Sequence, residues 1–460
     1  MARDQNVAPA QPILNFQILM TYPTPHSFRT LIAAAITLGT ASAMAQPMQA
    51  FSADSPFMLG DLAGARTEMG KSGLFFGLFY VTEFATNAKG GYNEDRVTER
   101  SDQTTALLNY SLMPKHGIDG EFSIVITNRN NGDLLSLTRL NDPRTGTLPN
   151  LSQEVWGYGS VSRLTRLTYN QHFADRTLRV RVGKMTPTEE FYPTTLGCEF
   201  QSLINCGAVP GVSSIWYGWP ISTWSAMGEV KFNSNWYARA GVYEQNPDTT
   251  KTSRGFSLSN RGAQGQIVPV LVGWRPSVGE KKMAGNYFAG VYYSNVKSAD
   301  LSDSSVQRNS KKTLWAYGEQ QVTGPGGDSP QGLRLFASAV VNDSRTEVLQ
   351  KAYGAGFYYM GLFDSRPQDM LGFSVAAVKI NDRFTASRAA VNLANGLVGD
   401  FSSHDYLPLG SREVTAELFY RMNLAKWISV QPSIQFIKAP GAIKQVPSAT
   451  VFGLRMNVAI

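Results

Sequence analysis

Glu413-Val-Thr-Ala-Glu-Leu-Phe-Tyr420 alternates polar and apolar side chains along its length. Ile428-Ser-Val-Gln-Pro-Ser-Ile-Gln-Phe436 repeats the pattern, and so do residues 452–460. Side chains on a β-strand point to opposite faces in turn, so each stretch predicts a strand with one apolar and one polar face. A closed barrel in lipid needs strands of about 9–11 residues and a partner for every strand edge. We therefore predict an all-β, transmembrane antiparallel barrel whose apolar face meets lipid and whose polar face lines a lumen.

The same alternation recurs along the rest of the chain. Further predicted strands are residues 74–84, 121–127, 177–184, 235–243, 286–293, 333–340, 354–360 and 371–378. Polar stretches rich in Gly, Ser and Asp predict loops at residues 298–312, 323–330 and 387–403. At roughly 26 residues per strand and connection, the chain after the N-terminal region has room for about 16 strands, the size of a porin with an aqueous channel.

Composition agrees with a barrel and disfavours other classes. Of the 460 residues, 17% are charged, 11% are aromatic and 42 are glycine, and the mean hydropathy is −0.19. Beyond the N-terminus no run of about 18 apolar residues predicts a spanning helix. The net charge of +7 is dispersed along the chain, which argues against nucleic-acid binding.

The N-terminus reads as a targeting segment. Arg29 precedes the apolar run Thr30-Leu-Ile-Ala-Ala-Ala-Ile-Thr-Leu38, and Ala43-Met-Ala45 follows as a small-residue cleavage site. This order is typical of a secretory signal peptide, with cleavage expected after Ala45. Met20 is the expected start, because residues 1–19 resemble neither a charged leader nor a folded element.

We divide the chain into residues 1–45, which are removed, an N-terminal periplasmic segment at 46–73, and the barrel at 74–460. In the second segment the helical spacing of Leu59, Leu62, Ala63 and Arg66 predicts a short helix. This helix either sits at the periplasmic mouth or serves as a tether.

Cys198 and Cys206 are the two cysteines of the chain. An exported protein meets an oxidising compartment, so a disulfide that closes a small loop is the expected state. A metal site is the alternative, but His116, His172 and His404 all lie far from the pair in sequence, and we expect no metal. A stapled loop in a barrel of this size is expected to fold into the lumen and narrow it.

Aromatic residues are dense around this pair, and Trp216 and Trp219 are the most suggestive. One interpretation places them in the girdle of aromatic residues at the lipid–water interface. The other makes them a stacking surface for sugar rings, whose C–H faces pack on aromatic planes.

Catalytic motifs are missing from the sequence. There is no Gly-x-Ser-x-Gly elbow and no His-Glu-x-x-His. The acidic pair Glu189-Glu190 has no visible counterpart and is interpreted as a solvated face. We therefore predict a protein that is not an enzyme and needs no cofactor.

Several motifs, in order, resemble the carbohydrate-selective porin family OprB. They are Leu59-Gly-Asp-Leu-Ala-Gly-Ala-Arg66, Tyr80-Val-Thr-Glu83, Asn87-Ala-Lys-Gly-Gly91, Cys198-Glu-Phe200, Asn205-Cys-Gly207, Gly241-Val-Tyr-Glu-Gln-Asn-Pro247, Gln431-Pro-Ser-Ile-Gln-Phe436, Ala439-Pro-Gly441 and Gly453-Leu-Arg455. The chain departs from the pattern in ending at Ile460 rather than at an aromatic residue, and in Gly441-Ala442 where Gly-Gly is often found.

The resemblance implies a 16-stranded outer-membrane barrel of a Gram-negative bacterium that passes monosaccharides such as glucose by diffusion. It also implies a constriction of charged and aromatic side chains, which by motif would include Glu83 and Asn87. From lumen-facing parity we add Arg129, Arg179, Arg181 and Arg239 to this pathway. A general or anion-preferring porin is the alternative function. The expected partners are outer-membrane lipid, lipopolysaccharide and the barrel assembly machinery, with monomer and homotrimer both open.

Overall fold

The computed structural model describes residues 48–155, 159–195, 198–206, 213–327 and 329–460. The predicted signal peptide and its cleavage site after Ala45 lie outside them. Within the described residues sixteen long strands form the wall of a barrel. They are β1 Leu74–Lys89, β2 Thr98–Ser111, β3 Gly120–Asn131, β4 Val161–Phe173, β5 Leu178–Met185, β6 Thr223–Lys231, β7 Trp236–Gln245, β8 Gly265–Trp274, β9 Met283–Ser294, β10 Lys311–Gln321, β11 Gly332–Val341, β12 Leu349–Met360, β13 Met370–Ile380, β14 Arg412–Ala425, β15 Ile428–Lys438 and β16 Ala449–Ala459.

Each strand pairs antiparallel with its neighbours in sequence, and β16 returns to pair with β1. In this closing ladder Phe79 lies opposite Ala459, and Glu83 lies opposite Arg455. Closure gives every strand two partners, which is the condition for crossing a bilayer with strands. The predicted antiparallel barrel of about sixteen strands is confirmed.

The two faces of the wall are the reverse of those in a soluble protein. On β14 the polar side chains of Glu413, Thr415 and Glu417 are buried inside the barrel, whereas Leu418 is 43% exposed on the outside. Exposed apolar side chains recur around the outer surface, among them Ile124, Val182, Val242, Val272, Leu314, Leu335, Val375, Ile434, Phe452 and Leu454. Such a belt is stable in lipid, because there apolar side chains need no burial.

Long and short connections separate to the two ends of the barrel. At one end strands are joined by tight turns, such as residues 174–177 and 426–427. At the other end lie the longest connections, residues 132–160, 186–222 and 381–411. Outer-membrane barrels have this asymmetry, with the long connections facing outward and the short ones facing the periplasm.

In the part of the chain that the structure describes, four short α-helices lie before β1 or in the connections rather than in the strand wall. They are α1 Ala65–Lys71, α2 Met113–His116, α3 Thr188–Phe191 and α4 Asp382–Ala394. None of the helices in the described residues is long and apolar enough to cross a membrane.

Two helix expectations need correction. The N-terminal helix begins later than its spacing predicted, because Leu62 and Ala63 have positive φ angles of 49° and 56° and form a turn before α1. Residues 387–403, predicted as a loop, contain most of α4, which is capped by the Asn381 side chain accepting a bond from the N–H of Arg383.

Candidate functional site

The connection between β5 and β6 folds into the lumen, as predicted for a loop closed by a disulfide between Cys198 and Cys206. Phe200 of this connection is buried against rings of the inner wall, with centroid distances of 5.1 Å to Phe419, 5.4 Å to Tyr358 and 6.1 Å to Phe336. These three rings lie on inward positions of β14, β12 and β11. Aromatic packing therefore fixes the connection against one side of the wall.

Polar bonds hold the same connection in register with β14. The carboxylate of Glu417 accepts the backbone N–H groups of Gln201 at 2.9 Å and Ser202 at 2.7 Å. Arg421, further along the same face of β14, pairs with Glu199 at 2.5 Å. Burial raises the pKa of Glu199, and the guanidinium of Arg421 offsets part of that rise.

The two cysteines close this anchored stretch. Cys198 and Cys206 form a disulfide with their Cα atoms 4.7 Å apart. The described residues contain no cluster of His, Cys, Asp and Glu that could hold a metal ion. The loop closed by the disulfide therefore contains Glu199, Gln201 and Ser202, the residues that bond to Arg421 and Glu417.

A second connection, between β3 and β4, also enters the lumen, and the sequence did not predict this. Leu134, Leu135 and Leu140 are buried there. Gln153 donates its amide N–H groups to the carbonyl oxygens of Glu83 and Glu99, both at 3.3 Å, which ties the connection to β1 and β2. Two inward connections, rather than one, narrow the barrel.

Glu190 on α3 is the centre of a buried ion-pair cluster. Its carboxylate receives two bonds from Arg179, at 2.6 and 3.0 Å, and one from Arg181 at 2.7 Å, while Arg239 lies 3.7 Å away. Burial alone would raise the pKa of Glu190, but these guanidinium groups outweigh it and hold the pKa well below its usual range.

The neighbouring acids complete this Glu190 cluster. Glu229 on β6 pairs with Arg239 at 2.6 Å, and Glu189 pairs with Arg166 at 2.8 Å. The interpretation of Glu189-Glu190 as a solvated face was therefore wrong, because both carboxylates are turned inward onto arginines of β4, β5 and β7. Parity correctly placed Arg179, Arg181 and Arg239 in the interior, but their partners depend on how the connection folds.

Glu83 belongs to a second charged group at the seam between β1 and β16. Its carboxylate lies 2.6 Å from Arg455 and accepts the backbone N–H of Val155 at 3.0 Å. Arg455 also reaches Glu154 at 2.8 Å. Glu83 thus joins the wall to the inward connection between β3 and β4.

Trp216 has neither of its predicted environments. It is 2% exposed, stacks on Tyr292 at 5.7 Å, contacts Trp315 edge-on at 5.4 Å, and donates its indole N–H to Thr188 at 2.8 Å. A side chain so covered offers no free face to a sugar and does not touch lipid. The lipid-facing surface instead exposes Trp224, Trp236 and Trp274.

Trp219 differs from Trp216 in being half-buried inside the barrel. Its indole N–H donates to the Gln103 side chain at 3.1 Å, and the same oxygen accepts from Arg129 at 2.8 Å. The ring packs beside a cluster that includes Phe79 and Leu107. Trp219 and Arg129 are therefore brought together through one shared glutamine.

The side chain of Asn87 bonds only to backbone groups close to it in sequence, as far as the described residues show. Its amide donates to the carbonyl oxygens of Gly90 at 2.9 Å and Asn93 at 3.2 Å. The side chain is fully buried at the end of β1, so it shapes the turn to β2. It does not join the Glu83 and Arg455 group.

Sequence reasoning missed the acidic anchors Glu190, Glu199 and Glu417 and the arginines Arg421 and Arg455. For Arg421 and Arg455 a signal was available: both lie on the polar face of strands already recognised by their alternation. Glu190 and Glu199 lie on a connection without periodicity, so alternation gave no signal for either; Glu199 does stand in the motif Cys198-Glu-Phe200.

A closed barrel of sixteen strands whose long connections narrow the lumen defines the porin class. The family model described as carbohydrate-selective porin, OprB family, matches residues 116–460, and the chain belongs to this family. The chain is 38% identical over 435 residues to Porin B of Pseudomonas aeruginosa, covering 91% of this chain and 94% of that protein. It is 32% identical over 440 residues to the putative porin QuiX of Acinetobacter baylyi, covering 94% and 99%.

The structure is also similar to the high-pH structure of Pseudomonas putida OprB. The TM-score is 0.86 at 36% identity, over 90% of this chain and all of that one. The resemblance predicted from the motifs is thereby confirmed. The protein is a sugar-selective porin of the outer membrane of a Gram-negative bacterium, and so a channel rather than an enzyme.

Proposed function

We propose that the barrel passes monosaccharides such as glucose passively, through a constriction formed by the two inward connections. The observation that carries this proposal is the Glu190 cluster, in which one carboxylate is held by Arg179 and Arg181. It fixes the connection at its start, and the bonds that the backbone N–H groups of Gln201 and Ser202 donate to Glu417 fix it further along.

Paired interior charges suit an uncharged solute. A free arginine in the lumen would attract anions, whereas an arginine that already holds a carboxylate presents mainly hydrogen-bond donors to passing hydroxyl groups. We expect weak sugar binding, because conduction requires a site that the solute leaves as readily as it enters. Trp219 and Arg129 are the predicted pathway residues that best combine an aromatic face with nearby donors.

The test is conductance of the refolded mature protein in a planar bilayer, with glucose and then phosphate titrated on one side. We expect a steady ion current that glucose reduces in a saturable manner and that phosphate leaves unchanged. An open current insensitive to glucose would contradict the proposal.

One observation favours a second candidate, a general or anion-preferring porin. The inward face of β3, β4, β5 and β7 is rich in arginine, carrying Arg129, Arg163, Arg166, Arg179, Arg181 and Arg239. Reversal potentials in a salt gradient separate the candidates, because net arginine charge would give strong anion preference whereas compensated charge gives little.

The remaining expectations belong to this proposal. Residues 1–45 act as a signal peptide cleaved after Ala45, residues 46–73 form a periplasmic segment, and residues 74–460 form the barrel. The protein has no catalytic activity, and turnover in a hydrolase screen of the folded protein would contradict this. Its assembly partners are the barrel assembly machinery, lipopolysaccharide and either no further copy or two copies of itself.

A further inference from the structure

Four basic side chains lie side by side on the outer face of β12 to β15. Lys351 lies directly opposite Lys379, and Lys379 lies directly opposite Arg412. Lys438 lies opposite Val414, one diagonal step from Arg412. All four occupy the same outward parity as the exposed apolar residues of their strands, such as Tyr353, Val375, Leu418 and Phe436. We call Lys351, Lys379, Arg412 and Lys438 the basic ladder.

The basic ladder is unfavourable on its own. Like charges directly opposite on neighbouring strands destabilise a sheet. Lys379 pairs with Asp382 of α4 at 2.7 Å, with both side chains partly exposed. Within the described residues Lys351, Arg412 and Lys438 have no ion-pair partner. These three cations are therefore available to bind an anion that the protein itself does not supply.

The surroundings of the ladder match an amphiphile rather than a soluble anion. Two residues nearer to the barrel's middle, Tyr353 and Phe436 are 47% and 52% exposed, and further apolar side chains continue below them. A lipid whose phosphate groups contact the cations and whose acyl chains contact this apolar surface would match both the charge and the apolar surroundings of the ladder.

Other outward cations at this end of the barrel are not grouped in the same way. At the same end of β1 and β2 the hydroxyl groups of Thr86 and Thr98 bond each other at 2.8 Å, and the neighbouring outward Arg100 already pairs with Asp102 at 2.6 Å. On β3 and β4 Asn128 donates to Ser162 at 2.8 Å. On β10 the outward Lys312 lies opposite the uncharged Tyr293. The four adjacent cations of the basic ladder therefore mark a particular site.

We propose that the basic ladder binds a phosphorylated glycolipid of the outer leaflet, with Lys351, Arg412 and Lys438 contacting its phosphate groups. The ladder lies where β13 ends and β14 begins, next to the long connection at residues 381–411, and thus at the outward end of the barrel. Arginine and lysine are the side chains that bind phosphate most strongly. The inference makes specific the lipopolysaccharide partner of the proposed function, on which it rests.

The test compares lipid binding by folded protein in non-ionic detergent, using native mass spectrometry. The probes are bisphosphorylated lipid A, its dephosphorylated form and inorganic phosphate. The triple variant K351Q/R412Q/K438Q is compared with the matched control K115Q/K231Q/K281Q, which removes the same charge from exposed positions near the short-connection end.

We expect bisphosphorylated lipid A to bind the wild type and the control equally, and to bind the triple variant at least about tenfold more weakly. If bisphosphorylated lipid A bound the triple variant as tightly as the wild type, the proposed site would be overturned. If the dephosphorylated lipid bound the wild type as tightly as the bisphosphorylated lipid, the site would also be overturned, because binding would then depend on the apolar surface alone. Displacement of lipid by millimolar phosphate would also overturn it in favour of a soluble anion. Glucose block of the ion current should persist in the triple variant, so failure here is distinguishable from failure of the sugar-channel proposal.

Discussion

The guanidinium group of Arg455 on β16 lies 2.6 Å from the carboxylate of Glu83 on β1, across the seam where the barrel closes. Both side chains are buried, and the same carboxylate accepts the N–H of Val155 from an inward connection. One ion pair therefore links closure of the wall to the position of the connection that narrows it.

Replacing Glu83 with Gln should loosen both structures. The change leaves Arg455 with Glu154 as its remaining carboxylate contact and weakens the acceptor for Val155. Breaking one partner of a buried pair costs about 3 kcal/mol. We expect a lower temperature for the loss of the folded band in heat-modifiable gel migration, together with a larger single-channel conductance. Glu68→Gln, on an exposed pair with Lys71, is the control and should change neither.

The two tryptophans should respond differently to alanine. Trp216→Ala removes a covered ring from the aromatic packing and should destabilise the barrel by about 3–5 kcal/mol. Trp219→Ala removes a half-buried ring and should weaken glucose block of the ion current several-fold, with little change in unfolding temperature. Titration of the current with glucose in both variants measures this, and equal block in Trp219→Ala and wild type would exclude Trp219 from the pathway.

Removing the Cys198–Cys206 disulfide should destabilise the connection between β5 and β6 more than the strands of the barrel. Cys198→Ser/Cys206→Ser opens a loop with a sequence separation of 8, for which chain entropy predicts a loss of about 2.5 kcal/mol. The bonds that the N–H groups of Gln201 and Ser202 donate to Glu417 remain, so the barrel should still fold. We expect noisier current with brief higher-conductance events, and dithiothreitol should produce the same noise in wild type. Quiet current in both cases would show that Glu417 and Arg421 suffice to hold the connection.

Glu190 should stabilise the protein over a defined pH range. Its folded pKa is depressed, so its contribution is present above the unfolded pKa of about 4.3 and is lost as the pH falls through the folded value. Glu190→Gln should therefore lower the unfolding temperature equally at pH 7 and pH 5, and the difference from wild type should shrink only below about pH 4. A difference that vanishes already at pH 5 would contradict the assignment of Arg179 and Arg181 as its partners.

Much of the wall could be predicted from particular stretches of sequence. Residues 413–420, 428–436 and 452–460 alternate cleanly, and all three are strands with the predicted face outward. The strands that were missed are β2, β4, β6, β8 and β10. On β2 the outward face carries the charged residues Arg100 and Asp102, and on β8 the inward face carries the apolar residues Ile267 and Leu271, so in both strands the alternation of polar and apolar residues is weak.

The sequence by itself determined the barrel, because the alternation of side chains between two faces is a local property of an extended chain, and an apolar outer face specifies lipid as its solvent. Only the tertiary structure decided the constriction. Glu83 and Arg455 are 372 residues apart, and Glu417 meets Ser202 across 215 residues. These contacts form only when the wall closes and the two inward connections, which have no periodic pattern, pack against its inner face. No pattern within either connection predicts which residues will meet.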